Sequence, residues 1–163
     1  LMVFGLRSIF DYGFGIAPPD ALSRLIGRGV RPIVAAAEQY RPVHRVLLTH
    51  SGSIESARTV KSFIQVQIWP EADLKVITCD QPAETADALL RQVTGYCRAH
   101  GRDVETEHLA GTPHHAILEH AETWNADLIV LGNSVRNFLL RKIFGETVCH
   151  VIQNARRPLF LSH

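Results

Sequence analysis

Short apolar runs alternate along this chain with amphipathic stretches of helical length, and that alternation leaves few folds open. Arg45-Val46-Leu47-Leu48-Thr49-His50 is a strand-like run stopped by Ser51-Gly52-Ser53. Ala57, Val60, Phe63, Ile64 and Ile68 then recur at helical spacing, with Ser53 as the predicted cap and Trp69-Pro70 as the end. Leu74 to Cys79 is the next strand, followed by a helix carrying Leu89, Val93 and Cys97 and stopped near Gly101. Val104 to Leu109 alternates apolar and polar residues, as an edge strand does. Gly111-Thr112-Pro113 opens a helix with Ile117, Ala121 and Trp124 on one face, and Leu128 to Leu131 is a fourth strand. A last helix is predicted over about 138–154, with Leu140, Ile143, Thr147 and Val151 on one side. Arg156-Arg157-Pro158 breaks it before the strand Leu159-Phe160-Leu161. The order βαβαβαβαβ predicts an α/β fold with an open five-stranded parallel sheet, doubly wound by right-handed crossovers. Such a sheet binds ligands beyond the carboxyl ends of its strands, here at Ser51-Gly52-Ser53 and at Gly132-Asn133-Ser134.

The N-terminal segment repeats the end of this pattern. Leu1-Met2-Val3-Phe4-Gly5 reads like Leu128-Ile129-Val130-Leu131-Gly132, and Arg31-Pro32-Ile33-Val34 reads like Arg157-Pro158-Leu159-Phe160. Gly5 and Gly132 are 127 positions apart, and Arg31 and Arg157 are 126 apart. Two strand signals recurring at nearly one offset indicate an internal repeat. Residues 1–43 are therefore expected to be the last part of a first copy with its linker, a partial βαβ unit, and 44–163 a complete copy. On this reading the sequence opens inside its first copy.

Bulk properties exclude several classes. With 17 basic and 16 acidic residues the net charge is +1, which supplies no field for nucleic acid or an anionic membrane. No apolar run is long enough for a transmembrane helix. Cys79, Cys97 and Cys149 are odd in number and form no Cys-x-x-Cys pair, so a reducing cytoplasm is the expected setting.

The loops resemble those of the universal stress protein family. Ser51-Gly52-Ser53 stands where that family has Asp-Gly-Ser, Gly111-Thr112-Pro113 matches its Gly-x-Pro turn, and Ala126-Asp127-Leu128-Ile129-Val130-Leu131-Gly132 matches its fourth strand. The resemblance implies a three-layer sandwich of the flavodoxin-like or adenine nucleotide alpha hydrolase-like kind. Nucleotide-binding members carry Gly-x-x-Gly, nine residues, then Gly and a hydroxyl residue. The frame here is Gly132-Asn133-Ser134-Val135, positions 136–144, then Gly145-Glu146-Thr147. Val135 replaces a glycine that lets backbone N–H groups approach phosphate, Glu146 puts an anion where a hydroxyl belongs, and Ser51 replaces the nucleoside-holding aspartate. Gly5-Leu6-Arg7-Ser8 in the partial copy is no better. Ser51, Gly52, Gly132, Asn133, Ser134, Val135, Gly145, Glu146 and Thr147 are thus expected to form a degenerate nucleotide loop with no bound cofactor. The resemblance further implies antiparallel pairing of last strands, here Arg31, Pro32, Ile33 and Val34 with Pro158, Leu159, Phe160 and Leu161, within a dimer or between tandem copies. The expected function is a non-catalytic stress-response protein acting through self-association and partner contacts. The alternative is an ATP-binding sensor or slow ATPase, with Arg136, Arg141 or Lys142 supplying charge.

No other chemistry is indicated. His114 and His115 should point about 100° apart on a helix, and His115 and His120 are five apart, so no metal site is expected. Cys79 is expected to be buried and inert. No Gly-x-Ser-x-Gly elbow occurs, so nothing argues for an enzyme.

Overall fold

The computed structural model describes residues 1–5, 32–132 and 146–162. Seven strands form one sheet: β1 Met2–Gly5, β2 Ile33–Ala36, β3 Arg45–Thr49, β4 Asp73–Cys79, β5 Glu105–Leu109, β6 Leu128–Gly132 and β7 Leu159–Ser162. Among the described residues the helices are α1 Ile54–Val66, α2 Ala83–Ala99, α3 Pro113–Thr123 and α4 Glu146–Asn154. The strand order is β1-β2-β7-β6-β3-β4-β5, so the two N-terminal strands extend the expected five to seven. All neighbours run parallel except β2 and β7, which are antiparallel. β5 lies at one edge, as its alternation predicts. Among the described residues no helix is long and apolar enough to cross a membrane.

Side chains along the central strands alternate between two cores. Val46, Leu48, Val76, Val130 and Phe160 face α1 and α2, where they meet Val60, Phe63, Ile64, Leu90, Val93 and Cys97. Leu47, Ile77, Ile129 and Leu159 face the other way, onto Ile117, Ala121, Val148, Val151 and Ile152. Phe63 sets its ring edge-on to Phe160 with centroids 5.3 Å apart, which ties α1 to the last strand. Because both faces are covered, the strands carry continuous apolar runs.

Some local details differ from the sequence reading. The helix α1 stops at Val66 with Gln67 left-handed (φ 50°), before Trp69-Pro70, so Ile68 lies beyond the helix and is exposed. In α2 the buried positions are Ala86, Leu90, Val93 and Cys97, and Leu89 is only half-buried. Leu140 and Ile143 fall outside the described residues, as does the first part of the predicted last helix. The Ala126-Asp127 step has a structural role: Ala126 is fully buried, and Asp127 Oδ2 accepts the backbone N–H groups of His44 and Arg45, each at 3.0 Å. Those bonds set the start of β3 against β6.

The strand registers repeat at the offset found in the sequence. Met2 pairs with Ile33 and Gly5 with Ala36; Ile129 pairs with Leu159 and Gly132 with Ser162. In the antiparallel pair Val34 faces Phe160, flanked by Ile33 with Leu161 and Ala35 with Leu159. Val34 and Phe160 are themselves equivalent under the 126-residue offset, so the pairing centres on a local two-fold relation.

Candidate functional site

The strand order turns about β3 and β6, which are parallel neighbours whose following helices lie on opposite faces. A cavity of about 150 Å³ opens there, at the carboxyl ends of β3, β4 and β6. Ser51, Gly132 and Thr147 line it together with Thr49, His50, Ser56, Cys79, Asp80 and apolar side chains including Ile77, Ile117, Leu131 and Val148. Gly52, with φ +80°, turns away and lines a neighbouring recess beside Leu89. Asn133, Ser134, Val135 and Gly145 lie outside the described residues, as do Arg136, Arg141, Lys142 and Arg31. Glu146 is the first residue of α4.

Ser53 caps α1, its Oγ accepting from the Ser56 N–H at 3.1 Å. Ser51 joins this cap: its hydroxyl donates to Ser53 Oγ at 3.0 Å, and its backbone N–H donates to Ser56 Oγ at 3.3 Å. The residue in the aspartate position therefore holds its own turn. Ser56 Oγ lies 2.8 Å from the Ser53 carbonyl oxygen and 2.9 Å from His50 Nδ1, within hydrogen-bond reach of both. Burial lowers the pKa of His50 and favours the neutral ring.

Gly132 has a packing explanation. A Cβ there would lie 2.4 Å from Ser56 Cα and 2.8 Å from Ser56 N, so only glycine lets β6 lie this close to α1. Cys79 has its pKa pushed up to about 11, first by burial and then by the Asp80 carboxylate. It is a thiol, not a nucleophilic thiolate, at neutral pH. Asp80 is exposed, with φ 53°. No Lys or Arg is among the described residues lining the cavity. The floor thus offers hydroxyls, a neutral imidazole and an apolar wall, with an anion at the rim.

Of the residues the family resemblance pointed to, Ser51, Gly132 and Thr147 line this cavity. Sequence reasoning missed Thr49, His50, Ser56 and Asp80. The available signal was a polar pair closing an apolar run, at Thr49-His50, with a serine one turn into the next helix.

The pattern of the universal stress protein family matches residues 57–163. A universal stress protein of Methanocaldococcus jannaschii is 35% identical over 78 residues, covering 48% of this chain and 46% of that protein. The chain spans about half the length of that curated relative. A universal stress protein solved in complex with cAMP is 27% identical, with a TM-score of 0.65, over 76% of this chain and 98% of that one. A universal stress protein from Archaeoglobus fulgidus is also 27% identical, with a TM-score of 0.63, over 80% of this chain and 49% of that one. UspA from Lactobacillus plantarum, 21% identical over 76% of this chain and all of its own, shares the fold with a TM-score of 0.63. With the sheet order, the cavity and these likenesses agreeing, the chain belongs to the universal stress protein family.

Proposed function

We propose that this chain is a non-catalytic stress-response protein of the cytoplasm that works through self-association and partner contacts, on a doubled fold with a weakened nucleotide site. The observation that carries this reading is the antiparallel β2–β7 pair centred on the equivalent residues Val34 and Phe160. It supports residues 1–43 being the end of a first copy, docked on the complete copy at 44–163 through the last strand of each. The Archaeoglobus relative, matched over only about half its length, fits a doubled architecture. The cavity supports the weakened site, because a triphosphate there would meet Asp80 and no described cation. Its volume of about 150 Å³ also falls below the roughly 300–1,000 Å³ of small-molecule pockets.

A second reading is a nucleotide-binding sensor. The neighbour solved with cAMP favours it, and one phosphate charge is penalised less than a triphosphate by a cation-poor site. Calorimetric titration of ATP and of cAMP into the chain separates the two. The first reading expects no ATP binding in the low micromolar range. Low-micromolar ATP affinity sinks it, and low-micromolar cAMP with weak ATP selects the sensor. In that case Val135→Gly with Glu146→Ser should strengthen ATP binding.

A further inference from the structure

Three imidazoles meet where α3 and α4 pack together. His114 and His115 stand in the first turn of α3, and His150 comes from α4. Ring centroids are 4.5 Å apart for His114 and His115, 4.5 Å for His114 and His150, and 5.2 Å for His115 and His150. One ring nitrogen from each lies within 4.8 Å of the others. His114 and His150 are half-buried and His115 is exposed, so the group is backed by protein and open to solvent. Helical spacing argued against any pairing of the two neighbours. It took no account of a third ring arriving from a helix distant in sequence, nor of the 4.5 Å between the ring centroids of the first two.

We propose that His114, His115 and His150 bind a divalent transition-metal ion, with Zn²⁺ the best match. An all-imidazole set suits zinc, copper or nickel, whereas magnesium and calcium take oxygen ligands. Zn–N bonds of about 2.0–2.1 Å in a tetrahedron place ligand nitrogens about 3.3 Å apart, a contraction that small side-chain rotations supply from the observed spacing. The positive end of the α3 dipole opposes a cation there, but weakly, since the effect is screened near the surface. Three protein ligands leave a coordination position open for water or an anion. A bound ion would clamp the first turn of α3 to α4, and Pro113, next to His114, and Thr147, three residues before His150, line the cavity at the strand ends.

The test is Zn²⁺ titration of the whole chain against a chromophoric chelator, with Co²⁺ as a spectroscopic substitute. The expected result is one ion per chain, visible Co²⁺ bands of a nitrogen-ligated tetrahedral site, and no competition from Mg²⁺. His150→Gln and His115→Ala should each weaken Zn²⁺ binding by more than about tenfold, while His108→Ala leaves it unchanged. His115 is exposed, so its variant keeps the test sound even where His150→Gln disturbs folding. Unchanged affinity in the His115→Ala variant overturns the proposal. So does an intense thiolate-to-cobalt absorption band, or the absence of stoichiometric Zn²⁺ binding.

Discussion

His50 shows how a residue at a strand end acquires a property that its neighbours in sequence do not reveal. It closes an apolar run, is 4% exposed, and shares a hydrogen bond between its Nδ1 and the Ser56 hydroxyl. Burial lowers its pKa below the usual value of 6.5, so the unfolded chain takes up a proton at a pH where the folded chain does not. Stability should therefore be level above about pH 6.5 and fall as the pH drops through the window below it. One proton sets a ceiling of about 1.4 kcal/mol per pH unit on that slope. Urea unfolding of the native chain and of His50→Asn between pH 5 and 7.5 should show a steeper loss in the native chain. Parallel curves would remove His50 as the cause. Serine capping at Ser53 was readable from local chemistry, because a hydroxyl before an apolar helix has one obvious use. The hydrogen bond of His50 was not, because its partner Ser56 comes from the first turn of the following helix.

The contact between β6 and α1 is decided by one missing atom. Gly132 ends a strand and Ser56 opens a helix, and their backbones approach too closely for a methyl group. Gly132→Ala should lower the urea midpoint by an amount equivalent to at least about 1–3 kcal/mol, since backbone cannot swing aside as a side chain can. The loss should appear with or without nucleotide; a variant as stable as the native chain would reassign the glycine to ligand binding. The sequence placed all five strands from β3 to β7, four of them as apolar runs bounded by turn residues and β5 by its alternation. It placed helix faces less well. Leu90 rather than Leu89 enters the core, since three apolar or small positions in that stretch fit the period almost equally. The end of α1 was set by the left-handed Gln67, a conformation with no strong signal at a non-glycine residue.

At the scale of the molecule the sheet joins segments from opposite ends of the chain. The parallel, doubly wound character of β3 to β7 followed from alternation and crossover handedness, whereas the order of the strands did not. The antiparallel seam was suggested only by family resemblance, because nothing in a strand's own residues names its distant partner. The His114, His115 and His150 group was illegible for the same reason. Strand β3 has two strands beyond it on its nearer side, whereas β2 has only β1 between it and the sheet's end. Amide exchange at Ile33–Ala35 should thus run faster than at Leu47–Thr49, measured by native-state hydrogen exchange. Equal protection would mean that the seven strands open as one unit.

Pairing Val34 with Phe160 also has a kinetic price in loop closure. That rung closes over 126 positions of the 163-residue chain, while the β3–β4 ladder needs only one short crossover. Topologies of this kind fold slowly, and their most remote rungs close last. Until then the facing edges of β2 and β7 present bare backbone to any passing strand, so dilute refolding would favour the correct zipper and crowded refolding would favour exchange between molecules.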